Sequence, residues 1–214
     1  MERKIIRIRN PQREREKVRQ VADIIREGGV AVIPTDTLYG LATNPLLLTA
    51  VKKVFYIKER PLNKPIPVLV SSFSKSKELV YWNKLAEKLV EKYWPGALTI
   101  ILPAKEKVPA ILHSNTGKLG VRMPDHNVAL AIIEEAGGYV TGTSANISTL
   151  PPARRIEELD PRIIQRVDVI VDSGPTLGIS STVIEVVDEK VKKVREGVIP
   201  FNDILKFISS NSAP

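Results

Sequence analysis

The sequence predicts an α/β domain (of the α+β type) with a twisted, mixed β-sheet flanked by helices. Three observations lead there. Short runs rich in Val, Ile and Leu alternate with longer amphipathic stretches of helical period. These segments are punctuated by Gly and Pro and do not repeat in strict βαβ order, so the sheet is mixed rather than purely parallel. Hydrophobic residues make up 43% of the 214 positions and aromatics only 5%, which gives an aliphatic core large enough for one domain. No repeat, linker or low-complexity stretch divides the chain, so the expected domain spans 1–208, with a tail at 209–214.

Each element has a local reason. Lys4 to Ile8 reads as a short strand. Glu14 to Glu27 reads as a helix with Val18, Val21, Ala22 and Ile25 on one face, ended by Gly28-Gly29. Val30 to Ile33 is a continuous apolar strand of the kind buried on both faces, and Pro34 stops it before an exit loop, Thr35 to Gly40. A helix from about Leu47 to Lys58 turns Val51, Val54 and Phe55 inward and delivers Lys58 and Arg60 at its end. Ile66 to Val70 is the next strand. Helices follow near Ser74 to Leu79 and Asn83 to Tyr93, and Trp94-Pro95-Gly96 is a stop. Strands at Leu98 to Leu102 and Leu119 to Arg122 precede a helix at Val128 to Ala136, and Tyr139 to Thr141 feeds the loop at Ser144. After helical turns between Arg155 and Gln165 come strands at Asp168 to Val171, Thr182 to Val187 and Val191 to Arg195. The turn Asp188-Glu189-Lys190 makes the last two a hairpin, and a helix covers Asn202 to Ile208.

Composition narrows the chemistry. A net charge of +8 favours anionic partners such as nucleotides or RNA, although plentiful Lys and Glu also fit a solubilising surface. The absence of cysteine excludes disulfides and thiolate metal sites and fits a reducing cytoplasm. His113 and His126 are the only histidines, too few for a His-rich zinc site. No apolar run approaches the ~20 residues of a membrane span, and the N-terminus lacks the apolar region of a signal peptide.

The sequence has neither a Walker-type glycine loop nor a dinucleotide fingerprint, so a nucleotide would be held by side-chain cations and loop amides. Lys58-Glu59-Arg60-Pro61-Leu62-Asn63-Lys64-Pro65 concentrates cations between prolines that stiffen the chain. The same spacing also fits a solvated helix end. Arg122 and Arg195, each at a strand end, are the further cations expected to converge. Gly142-Thr143-Ser144-Ala145-Asn146 suits phosphate or ribose binding; Ser144 as a helix N-cap is the alternative, and a nucleophilic Ser144 would need a partnered histidine. Thr35-Asp36-Thr37 and Ser180-Ser181-Thr182 lie at strand ends, where α/β folds collect ligand loops. Asp36 and Asp172 form no recognisable metal cluster, so Mg²⁺ would ride on nucleotide phosphates.

Seven segments in order resemble the YrdC-like threonylcarbamoyl-AMP synthases. They are Pro34 to Leu41, Lys58 to Pro61, Pro95 to Thr99, Gly120 to Pro124, Ser144 to Asn146, Ser181 to Ile184 and Arg195 to Gly197, spread over about residues 15 to 200. The resemblance implies a YrdC/RibB-like fold with a basic concave groove. It also implies a nucleotidyltransferase activity that makes threonylcarbamoyl-AMP and pyrophosphate from L-threonine, bicarbonate or CO₂, and ATP with Mg²⁺. A downstream transferase would pass the threonylcarbamoyl group to tRNA. It implies catalytic roles for Lys58, Arg60, Ser144 and Asn146. ATP contacts are implied for Arg60, Lys64, Lys118, Ser144, Pro152 and Arg195, and threonine contacts for Thr37, Arg122, Gly142 and Ser181. Longer relatives carry Asn where this chain has Lys64 and His where it has Leu69. They also have a second domain, so the chain resembles the short single-domain form. The rival reading is a module of the same fold that binds double-stranded RNA or tRNA through backbone charge, without chemistry.

Overall fold

Strand residues that alternate between core and solvent decide which face of each sheet is free to line a site. The computed structural model describes residues 4–210. In chain order the elements are β1 (Lys4–Arg7), α1 (Arg15–Arg26), β2 (Ala31–Ile33), β3 (Gly40–Ala42), α2 (Leu48–Lys58), β4 (Val68–Val70), α3 (Phe73–Lys77), α4 (Lys84–Tyr93), β5 (Leu98–Pro103), β6 (Lys118–Arg122), α5 (Asn127–Glu135), β7 (Tyr139–Thr141), β8 (Thr143–Ser144), α6 (Pro161–Arg166), β9 (Val169–Asp172), β10 (Thr182–Val187), β11 (Lys190–Arg195) and α7 (Phe201–Ser210).

Local chemistry explains most boundaries. α1 buries Val18, Val21, Ala22 and Ile25, and Gly28 (φ +83°) takes the left-handed conformation just past its end. Asn83 and Asp160 cap α4 and α6 through their side-chain oxygens, and Pro161 opens α6. His126 caps α5, its Nδ1 accepting the Ala129 amide proton at 3.3 Å. Asp188 (φ 45°) and Glu189 (φ 60°) are both left-handed, so a tight turn closes the β10–β11 hairpin.

The expected α/β architecture is present, with its strands divided between two mixed sheets. One has the order β1-β9-β2-β3-β8, the other β11-β10-β5-β6-β4-β7. β2 is buried on both faces: Ala31 and Ile33 join the cluster under α1 and α5, while Val32, with Val30 just before the strand, joins the larger cluster under α2. The six-stranded sheet is different. Leu98, Ile100, Leu102, Leu119, Val121, Ile184 and Val186 turn into the core with α4 and α7, each worth roughly 1.5–3 kcal/mol when fully buried. The intervening residues face away from that core.

Two short strands lie outside the sequence expectation. β3 and β8 have no period-2 apolar pattern; β3 is held by pairing with β2, Val32 with Leu41, and β8 by pairing with β3, Gly40 with Ser144 and Leu41 with Thr143. The expected tail at 209–214 also begins too early. α7 runs to Ser210, and the Ser209 and Ser210 hydroxyls donate back to the Leu205 and Phe207 carbonyls, both at 3.0 Å. The remainder of that tail, and residues 1–3, lie outside the described residues.

Candidate functional site

The free face of the six-stranded sheet is the floor of a cavity of about 820 Å³. Because alternate strand residues share a face, the floor is built from Thr99 and Ile101 of β5, Lys118, Gly120 and Arg122 of β6, and Val183 and Glu185 of β10. The opposite wall comes from the five-stranded sheet and its exit loop, with Thr35, Thr37, Tyr39, Thr143 and Ser144. The cavity is thus the seam between the two sheets.

Of the residues the sequence singled out, Thr37, Arg60, Lys118, Arg122, Gly142, Ser144, Ser181 and Arg195 all line this one cavity. They come from loops and strands across the chain, and only the packing of the sheets brings them together. Arg122 is 5% exposed. Its Nε donates to the Gly96 carbonyl at 2.8 Å, its Nη1 to Thr37 Oγ1 at 2.8 Å, and its Nη2 to Asp36. Burial weighs against the guanidinium charge and Asp36 opposes that loss. Three of five N–H groups are used, which leaves donors for a ligand. Thr35 Oγ1 donates to the Leu38 carbonyl at 2.7 Å, so in the Thr35–Thr37 hydroxyl contact at 3.0 Å the proton belongs to Thr37. Thr37 therefore meets a ligand as an acceptor.

Arg195 donates to the Ser181 carbonyl at 2.9 Å and to its hydroxyl at 3.1 Å, and Ser181 touches Thr99 at 2.9 Å. Arg60 donates to the Lys64 and Pro65 carbonyls at 3.1 and 2.8 Å, which holds the proline-bounded loop in place. Burial lowers the pKa of Arg60, and the nearby Arg195 charge lowers it further; burial also lowers that of Arg195. Like charges converge at the mouth, and an anion that bridges them is stabilised. Gly142 sits against Leu69. A Cβ there would stand 2.6 Å from Leu69 Cγ, so the residue must be glycine while leucine forms this wall.

Four site residues stand elsewhere. Lys58 is not a cavity cation. It is 1% exposed, and its Nζ donates to the Ser144 and Asn146 carbonyls and to Asn146 Oδ1 at 2.5, 2.9 and 3.1 Å. Burial, then the Arg60 charge, pushes its pKa down to about 7. A neutral amine donates only two protons, so the ammonium is the form that satisfies all three acceptors. Asn146 lies behind Ser144 and accepts the Ser144 hydroxyl proton at 2.6 Å. An amide oxygen is no base, and no helix starts after Ser144, so both the nucleophile and the N-cap readings fail. Lys64 is exposed beside a separate, shallower cleft, and Pro152 is outside the cavity wall.

The cavity also recruits residues the sequence reading did not assign, among them Thr99, Glu185, Lys192 and Lys193. Glu185 accepts an ion pair from Lys118 at 2.5 Å. The alternation of β10 signals that Val183 and Glu185 share a face, but not that the face lines a site. Among the described residues no group of three carboxylates or histidines converges as a metal site. No helix among them is long and apolar enough to cross a membrane.

A family model for Sua5, YciO and YrdC proteins, described as telomere recombination, matches residues 23–197. A threonylcarbamoyl-AMP synthase of Pyrococcus abyssi is 36% identical over 197 residues, covering 90% of this chain and 57% of that protein. The chain therefore spans little more than half the length of that relative. A Methanocaldococcus jannaschii protein is 36% identical over 199 residues, covering 91% of this chain and 93% of its own. The crystal structure of Pyrococcus abyssi Sua5 complexed with L-threonine superposes with a TM-score of 0.88 at 34% identity, covering 96% of this chain and 60% of that one.

Proposed function

The chain belongs to the Sua5/YciO/YrdC family, and from that premise we propose that it synthesises threonylcarbamoyl-AMP from L-threonine, bicarbonate or CO₂, and ATP. The observation that carries the reading is one cavity lined jointly by Thr37, Arg122 and Ser181 and by Arg60, Lys118, Ser144 and Arg195. The first group suits an amino acid, the second a nucleotide. The threonine-bound relative supports the first assignment.

The chemistry fits a site without a protein nucleophile. The neutral amine of threonine adds to CO₂ and loses a proton to solvent to give a carbamate. A carbamate oxygen attacks the α-phosphorus, and the bond to the bridging oxygen breaks to release pyrophosphate. The protein's task is alignment and charge stabilisation. Arg122, already held by Asp36, Thr37 and Gly96, offers its remaining N–H groups to the amino-acid carboxylate. Thr37 accepts from the substrate, and Leu69 supplies an apolar wall. Arg60 and Arg195 face the phosphates. Lys58 acts as a positioning residue that fixes the Ser144–Asn146 loop from behind. Mg²⁺ arrives with ATP as part of the substrate. The product would pass to a tRNA-modifying transferase, and a cytoplasmic setting is part of the same proposal.

The test is a mass-spectrometric assay of the purified chain with ATP, Mg²⁺, L-threonine and bicarbonate, beside single omissions. The expected result is a threonylcarbamoyl-AMP mass with pyrophosphate, absent in every omission. A folded chain that binds ATP but forms no such adduct overturns the reading.

A further inference from the structure

The register of the six-stranded sheet arranges the cavity floor in rows. The inner row pairs Thr99, Val183 and Arg195, beside Arg122 at the end of β6. The next row is Gly120, Ile101, Glu185 and Lys192, and Lys118 stands one row further out. Rows two residues apart are separated by about 6.6 Å at a rise of ~3.3 Å per residue. Lys118 is paired with Glu185 at 2.5 Å. Lys192, directly across the hairpin from Glu185, lines the cavity, is exposed, and makes no side-chain ion pair among the described residues. One carboxylate thus lies between two lysines and compensates only one of them.

In-line displacement adds a direction. The leaving group departs on the side of phosphorus opposite the attacking atom. The attacking carbamate grows from the amine of a threonine held at Arg122 in the inner row, and the floor further out along the strands offers the leaving group room and cations. One or two rows out, the floor offers Lys118 and Lys192 on either side of Glu185, and Gly120 has no side chain to fill the floor beside Ile101. A Cβ at Gly120 would approach Pro67 Cβ to 3.2 Å and Thr99 Cγ2 to 3.3 Å. We propose that this outer end of the floor holds the pyrophosphate portion of the nucleotide and that Lys192 is a phosphate-contacting residue of the site. The inference rests on the synthase reading and adds the orientation of the nucleotide to it.

Calorimetric titration with inorganic pyrophosphate and, separately, AMP tests it on the wild-type chain, Lys192→Ala, Lys192→Arg and Lys190→Ala. Lys190 is on the same exposed strand but outside the cavity wall. Lys192→Ala should weaken pyrophosphate binding about 5- to 10-fold, the effect of one solvent-exposed charge-assisted contact. AMP binding should be unchanged, Lys192→Arg should restore pyrophosphate binding, and Lys190→Ala should behave as wild type. Unchanged pyrophosphate affinity in Lys192→Ala, or an equal loss in Lys190→Ala, overturns the inference while adduct formation leaves the synthase reading standing. A wild-type chain that binds neither pyrophosphate nor ATP overturns both.

Discussion

Arg122 shows how neighbours prepare a binding side chain. Its fork is held at three points, by Gly96, Thr37 and Asp36, so little ordering cost remains when a carboxylate arrives. Lysine cannot reproduce that planar fork. Arg122→Lys should therefore raise the KM for threonine by about 10-fold, the effect of one charge-assisted bond, with a smaller change in the KM for ATP; steady-state kinetics in each substrate checks this. Lys58 works in the opposite sense, as a buried cation whose ligands are all protein. Lys58→Met would take away the donor of the buried Asn146 carbonyl and one of two donors each from the Ser144 carbonyl and Asn146 Oδ1, with an expected loss of about 3 kcal/mol in stability. A shift of the urea midpoint at constant slope would measure it.

At the scale of elements, two boundaries carry testable energy. Glu189 adopts φ 60° in the β10–β11 turn, a conformation that costs an ordinary side chain roughly 1 kcal/mol and glycine almost nothing. Glu189→Gly should raise Tm by about 2–4 °C in a calorimetric scan, since that is the shift per kcal/mol for a domain of this size. The N-terminus of α5 is sensitive to pH. His126 caps it with an unprotonated Nδ1, and burial lowers its pKa below the usual 6.5. The unfolded state therefore binds more protons in the window between the folded value and 6.5, so stability rises with pH there. The contribution is full above 6.5 and is lost as pH falls through the folded value. His126→Asn keeps a capping oxygen and has nothing to titrate. Denaturation midpoints at neutral and mildly acidic pH should diverge between wild type and variant only on the acidic side.

Across the whole molecule, the seam between the sheets concentrates positive charge while most ion pairs lie outside it. Among the described residues, Arg60, Arg195 and Lys192 face the same space without a carboxylate of their own. ATP binding should therefore weaken steeply as salt is raised from low to physiological ionic strength, where the screening length shortens to about 8 Å. If threonine is held by buried Arg122, as proposed, its binding should respond far less. Titration of each ligand across a salt series separates the two. The same seam depends on close approach at one point, where Gly142 meets Leu69. Gly142→Ala should impair threonine binding, and shortening the opposing side chain with Leu69→Ala should recover part of it.

By itself the sequence determined the local structure and the inventory of the site. Apolar period placed the buried strands and the inward faces of α1 and α2, glycine and proline placed their ends, and seven ordered motifs contain about half of the residues that line the cavity. Those signals are local, carried by neighbours a few positions apart. Only the tertiary structure decided that the strands form two sheets, that β3 and β8 exist, that Lys58 is buried behind the loop it orders, and that Glu185 and Lys192 belong to the floor. Each of these depends on pairing or burial between segments far apart in the chain. A lysine at a helix end reads the same in sequence whether it meets water or three carbonyl oxygens, and only packing distinguishes the two.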